Sequence, residues 1–163
     1  MDPPGIVRDK VTTWLWCDGT AEEQARFYTA LIPGSAIGRI MRAPLAYPGG
    51  PAGKVLTVEF TLAGRQFAML DGGPGPQHSE AMSLSVDCAD QAEVDRYWHA
   101  FLADGGTEMQ CGWLKDRWGV AWQIVPRRLT ELMNDPQHAA RAMAAMMEMV
   151  RIDVAALERA IAS

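Results

Sequence analysis

Two stretches of the chain, LWCDGTAEEQARFY from Leu15 to Tyr28 and LSVDCADQAEVDRY from Leu84 to Tyr97, repeat one pattern. In each, a strand-like run ends at an Asp, Asp18 or Asp87, and a Tyr follows ten residues later, with a constant offset of 69 residues between the copies. Each copy also carries a helix-start signature, Thr20 with Glu23 and Asp90 with Glu93, in which a side-chain acceptor and a Glu three residues on satisfy the first free N–H groups. The chain is therefore read as a duplicated module.

Working outward, the first helix spans roughly Ala21 to Ile32, with Ala21, Ala25, Tyr28 and Ile32 on one face, and PGS stops it. The second places Val94, Tyr97, Trp98, Phe101 and Leu102 at helical spacing and ends at DGG, Asp104 to Gly106. Strand-like runs follow each helix: Ala36–Arg42, Lys54–Ala63 and Gln66–Asp71 in the first copy, and Thr107–Gln110, Trp113–Lys115 and Val120–Val125 in the second. Ala63-Gly64 marks a tight connection, and APLAYPGGPAG is a long Pro/Gly loop. Each half reads βαβββ, which makes the fold class α+β. The modules span 10–73 and 79–126, and 127–163 reads as a C-terminal helical appendage.

Composition limits what such a fold does. The net charge of −5 and pI near 5.1 argue against nucleic acid as a partner, because a phosphate-binding face needs clustered Lys and Arg. The start MDPPGIVRDK has no secretory apolar core and no run approaches a membrane span, so a cytoplasmic protein without a membrane partner is expected. Cys17, Cys88 and Cys111 are odd in number and lack CxxC spacing, which predicts reduced thiols rather than disulfides or a zinc knuckle.

The repeated βαβββ unit, together with LWCDGTAEEQARFYTALIPGS, QCGWLKDRWGVAWQIVP and the C-terminal RIDVAALERA, resembles the vicinal oxygen chelate superfamily. That superfamily includes glyoxalase I, extradiol dioxygenases and bleomycin-resistance proteins, and the likeness is to its PhnB-like branch. The resemblance implies a cup-shaped mixed sheet of glyoxalase-like form and frequent assembly as a homodimer. It also implies four positions that hold a divalent cation in the metal-dependent members, which fall here on Thr12, Met69, Ala81 and Gln123. Threonine, methionine, alanine and glutamine are a degenerate set: transition metals at such sites need His, Glu, Asp or Cys donors. No metal and no cofactor are expected. Moving the second position to Asp71 leaves a single conventional donor.

Period-two alternation then says what faces the cup. Thr12, Trp14 and Trp16 share one side of the first strand; Ala81, Ser83 and Ser85 form the corresponding row of the second module, and Ala121, Gln123 and Val125 join it. Trp14, Trp16, Ser83 and Gln123 are the candidate ligand-binding residues, with Ser83 also a candidate partner for the Gln123 amide, although Trp14 and Trp16 equally suit a dimer core. Glu59, inside VLTVEFTL, is a weak candidate acid or base, and a solvated edge is the blander reading. His78, His99 and His138 read as exposed and structural, with His78 and Glu80 the one compact donor pair, and Cys111 has no basic neighbour to hold a thiolate.

After Pro126 the sequence predicts a short RLTELM helix, a helix over 136–150 with Ala139, Met143, Met146 and Val150 on one stripe, and a last helix over 154–162. Some relatives of the branch carry a demethylubiquinone methyltransferase label. The Gly-rich LDGGPGPQ precedes no helix, as a nucleotide-type cofactor turn would, and reads as the linker between modules. Three functions stay open: a metal-independent small-molecule protein of unknown substrate, a sequestering or resistance protein without catalysis, and a metal-dependent enzyme with unconventional ligands such as Glu59, His78 or Glu80.

Overall fold

The computed structural model of the protein describes residues 9–163. The reading of the opening segment as lacking a secretory core falls mostly on residues 1–8, outside the described residues. One compact unit runs to Gln77 and a second from His78 to Ser163.

The first unit contains β1 (Thr13–Cys17), α1 (Ala21–Leu31), β2 (Ala36–Arg42), β3 (Val55–Leu62) and β4 (Arg65–Asp71). They form a four-stranded sheet in the order β1-β4-β3-β2, with β1 parallel to β4 and the other pairs antiparallel. One face is dry: Leu15 and Cys17 of β1, Val58, Phe60 and Leu62 of β3, and Phe67 and Met69 of β4 are buried with Tyr28 of α1. Tyr28 meets Phe60, which stacks on Phe67 with centroids 5.5 Å apart. Fully burying each side chain of this size contributes about 1.5–3 kcal/mol. The hairpin between β3 and β4 closes through Ala63 (φ 47°) and Gly64 (φ 84°), both left-handed as a two-residue hairpin turn requires.

The second unit repeats the plan with β5 (Ser83–Cys88), α2 (Gln91–Ala103), β6 (Thr107–Glu108), β7 (Trp113–Lys115) and β8 (Ala121–Pro126), in the sheet order β5-β8-β7-β6. Trp122 and Ile124 of β8 and Leu114 of β7 are buried with Val94, Trp98 and Phe101 of α2, and the Phe101 and Trp122 rings lie 4.9 Å apart. The hairpin between β7 and β8 is held by a buried carboxylate. Asp116 accepts from the backbone N–H of Trp118 and Val120 and from the Trp122 indole N–H, all at 3.0 Å.

The second strand of this unit, β6, is shorter than the sequence predicts, two residues instead of 107–110. Met109 donates to the Trp113 carbonyl, after which Cys111 turns to φ 60° and the chain leaves the ladder. The N–H groups of Cys111 and Gly112 donate instead to Met149 and Val150, at 2.8 and 2.7 Å.

Those acceptors belong to the appendage, α3 (Arg127–Met133), α4 (Ala139–Met147) and α5 (Val154–Ala162), which builds a small core from Leu129, Leu132, Ala142, Ile152 and Leu157. The middle helix starts three residues later than 136, because the Asp135 carboxylate and carbonyl accept from Gln137 and His138 and hold them in a turn. Its buried stripe is also rotated from the expected one. Ala142 is buried and Ala145, Met146 and Met149 pack on the small core, while Met143 and Met147 are 46% and 51% exposed. The appendage is fixed to α2 by Gln91, whose amide donates to the Ile152 carbonyl and accepts from the Val154 N–H, and by an ion pair between Arg151 and Asp95.

Candidate functional site

In each unit the helix covers one sheet face and leaves the other open. On the open face of the first sheet, register sets the residues in rows. Trp14 of β1 lies beside Ala68 of β4, which lies beside Glu59 of β3. One row along, Gln66 lies beside Thr61, with Ala36 beyond. Opposite Glu59 the ladder breaks: pairing passes from Ile37–Phe60 to Ile40–Val58, so Gly38 and Arg39 together oppose one residue. The bulge brings the Arg39 guanidinium to 3.0 Å from the Glu59 carboxylate. It also suits a glycine, because a Cβ on Gly38 would stand 3.0 Å from the Glu59 carbonyl oxygen, closer than an ordinary contact.

The open-face residues of β1, β3 and β4, with Ala36 and Gly38 of β2 but not Arg39, line a cavity of about 340 Å³, within the size range of small-molecule sites. Thr12, Trp14, Glu59, Thr61, Gln66 and Ala68 are among its walls. Trp14 is 54% exposed while Leu15 beside it is buried, so the alternation expected for β1 is observed. Trp16, on the same side, is tied down: its indole N–H donates to the Gly73 carbonyl at 2.8 Å, and its ring occupies the space a Cβ on Gly72 would need.

In the second unit the Gln123 amide donates to the Ser83 hydroxyl at 2.9 Å, a partnership the sequence suggested. Gln123 also pairs with Ser85 and Trp113 in the ladder. A second, more open cavity of about 620 Å³ lies against Glu80, Glu108, Cys111 and Trp113. Glu80 forms an ion pair with Lys115 at 2.7 Å, which pulls its carboxyl below the usual range.

Two of the four inferred metal-ligand positions are placed differently by the structure. Met69 is fully buried opposite Leu15 on the helix-covered face. The two sheets share a pairing rule, Trp16 with Leu70 and Ser85 with Gln123, so the counterpart of Gln123 is Leu70. Ala81 is exposed in the turn before β5 and belongs to no strand. Asp71, the alternative donor, is buried and accepts from the Ala21 N–H at 3.0 Å, capping α1. Burial raises its pKa; the N–H groups around it and Lys54 pull the other way. Threonine, leucine, alanine and glutamine do not fit a divalent metal ion. Among the described residues no group of three or more His, Cys, Asp or Glu side chains is gathered as a metal ion would require.

The remaining candidates are dispersed. His99 is exposed and His138 is bonded to Asp135 at 2.7 Å. Cys17 and Cys88 are buried, Cys111 is half-buried, and none of the three is in a disulfide. Burial pushes the Cys88 thiol up to about 12, away from any nucleophilic role. Sequence reasoning missed Arg39 as the partner of Glu59; the Gly38-Arg39 step inside a strand was the available signal.

The model of the 3-demethylubiquinone-9 3-methyltransferase family matches residues 9–125. The chain belongs to this family. A putative 3-demethylubiquinone-9 3-methyltransferase, the PhnB protein of Bacillus cereus, is 35% identical, with a TM-score of 0.65 over 72% of this chain and 99% of that one. A protein of Pseudomonas aeruginosa shares the fold at 19% identity, with a TM-score of 0.59 over 73% of this chain and 98% of the other. A glyoxalase/bleomycin resistance protein of Albidiferax ferrireducens is 16% identical, with a TM-score of 0.49 over 71% and 96%. No curated protein matches the chain. The PhnB likeness that the sequence suggested is thereby borne out, as is the α+β fold of two repeated modules with C-terminal helices. The appendage lies beyond the residues the family model matches.

Proposed function

We propose that this family member binds a small organic molecule on the open face of its first sheet, without a divalent metal ion and without a covalent step. The observation that carries the reading is the cavity over Ala68, walled by the half-exposed Trp14 ring on one side and Glu59, itself paired with Arg39, on the other. An apolar trough with a few directed polar groups is the usual make-up of a small-molecule site. Glu59 supports binding over acid–base chemistry, since its carboxylate is committed to a guanidinium. The family's name refers to methyl transfer, and we leave that chemistry out of the proposal. The Gly-rich segment after β4 runs into an extended loop, whereas a nucleotide-type turn leads from a strand into a helix.

A homodimer and a cytoplasmic location belong to the same proposal. The long edge strand β2 and the exposed Val11 and Met41 are features that self-association would cover, and cysteines outside any disulfide suit a reducing compartment. No helix among the described residues is long and apolar enough to cross a membrane. The test is a metabolite screen by thermal shift on the full chain, repeated with Trp14→Ala. Ligands whose stabilisation disappears in the variant support the site; a ligand that stabilises both proteins equally binds elsewhere and refutes it. Sedimentation at micromolar concentration giving a 17.9 kDa monomer would refute the dimer.

A further inference from the structure

The middle helix of the appendage is apolar on two opposite sides. Toward the small core, Ala142 is buried and Ala145 packs beside it. The side turned away carries Ala140, Met143, Ala144 and Met147, all exposed and spaced i, i+3, i+4, i+7, so they form one stripe along α4. A surface helix ordinarily turns polar residues to water, and a helix that is apolar all round is covered all round. The stripe lies outside the residues 9–125 that the family model matches, so the family likeness does not account for it.

This stripe is complementary to itself. Two copies of α4 laid antiparallel about a two-fold axis between Met143 and Ala144 set Ala140 opposite the second copy's Met147, and Met143 opposite its Ala144. Every long side chain then meets a methyl group. The charges at the rim follow the same symmetry. Arg141 and Glu148 are exposed and seven residues apart, which puts them on one flank of the helix, two turns from each other. In the antiparallel pair, Arg141 of one copy and Glu148 of the other fall on the same side of the seam, about 3 Å apart along the helix axis. A parallel pair instead sets Arg141 on Arg141 and Glu148 on Glu148. Neither residue belongs to an ion pair among the described residues, and the Arg141 contact with the Ile161 carbonyl, at 3.5 Å, is longer than an ordinary hydrogen bond. A seam about 13 Å long and one helix wide covers less than the roughly 1,200–2,000 Å² that a stable dimer buries, so association through it alone is weak and depends on concentration.

We propose that the outward face of α4 pairs antiparallel with α4 of a second copy of this chain, through Met–Ala contacts flanked by two Arg141–Glu148 ion pairs. The surface is separate from the β2 edge and the Val11 and Met41 side chains on which the homodimer reading rests. A chain that uses both passes from dimers to larger assemblies as its concentration rises.

The test is sedimentation equilibrium of the full chain from micromolar to millimolar concentration. The average mass of the wild type should rise across that range. Arg141→Glu and Glu148→Arg each set like charges across the seam and should weaken this association about tenfold. The double variant puts opposite charges back, exchanged, and should recover most of the loss, which no merely local effect of either substitution would do. Met143→Lys, at the centre of the stripe, should abolish the rise. All three positions are exposed, and unchanged melting temperatures in dilute solution exclude a folding defect. A double variant as weak as the single ones overturns the antiparallel pairing. Association that is indifferent to every variant, or a wild type that holds a constant dimer mass, removes α4 as a seam, leaves its outward face to another partner and lets the homodimer reading stand. A wild type that stays at 17.9 kDa throughout overturns both.

Discussion

The two units share a strand order and a helix position, yet they start their helices by different means. In the second, the helix cap is local. The Asp90 carboxylate accepts from the Glu93 N–H at 2.9 Å, and Glu93 reaches back to the Ala89 N–H at 2.6 Å. In the first, Thr20 makes no side-chain cap, and the acceptor is Asp71, 50 residues away at the end of β4. The hairpins diverge in the opposite sense. The first turns on two backbone torsions at Ala63 and Gly64, while the second hangs on the buried Asp116. A duplicated module thus keeps its topology while the residues that hold each junction are replaced, so local signatures transfer poorly between copies.

The largest expected effect tests the second hairpin. Asp116→Ala strands two backbone N–H groups and the buried Trp122 indole N–H, and should destabilise the protein by about 3 kcal/mol or more, seen as a lower urea midpoint. A loss under about 1 kcal/mol would mean that water replaces the carboxylate and that the two hairpins are held more alike than they look.

Next come the caps. Asp71→Ala and Asp90→Ala should each cost about 0.5–2 kcal/mol. Only the first removes a contact between strand and helix, so amide exchange should accelerate at both Ala21 and the end of β4. Exchange confined to the first turn of α1 would reduce Asp71 to a local cap.

The pH dependence distinguishes two carboxylates. Burial raises the Asp71 pKa, so its contribution is fully present below the ordinary carboxylate value and is lost as pH rises through the raised one. Wild type should therefore gain stability relative to Asp71→Asn as the solution is acidified into that window. Asp95 is the reverse: the Gln91 hydrogen bond and, after it, Arg151 hold its pKa down, so its contribution is present above the ordinary value and lost as pH falls through the lowered one. Wild type should lose ground to Asp95→Asn on acidification, and identical slopes for the two variants would overturn this contrast.

The smallest effect is a gain. Ala63 is strained at φ 47°, a region asparagine tolerates better, and Ala63→Asn should stabilise by a few tenths of a kcal/mol, roughly 0.5. No change in the thermal midpoint would show that the turn already accommodates its alanine.

These contrasts also explain what was legible in the sequence. The repeat, both helices and the alternation of β1 rest on contacts within a few residues and are read directly. The Asp90–Glu93 cap is local and was legible; in the counterpart the Thr20 side chain makes no cap, and Asp71 accepts from the Ala21 N–H from a distance. Met69 was placed one residue wrong for a related reason. The face of a strand follows from its register with a partner, and the parallel pairing of β1 with β4 leaves no trace in the order of residues. The site was half visible: Trp14 stood out by alternation, while Arg39 reaches Glu59 only through a bulge.

The clamp that Gln91 places on Ile152 and Val154 has a consequence in time. Its members are up to 63 positions apart in the chain, and at a synthesis rate of roughly 5–20 residues per second α2 waits roughly 3–13 seconds for its partner to emerge. The first unit needs nothing beyond Gln77 to complete its own sheet and is free to close on the ribosome. The second stays unfinished, with the N–H groups of Cys111 and Gly112 bonded to water, until Met149 and Val150 arrive. During that interval the nascent chain carries one finished sheet and one open one, and that is when a chaperone or a misfolding encounter has its opportunity.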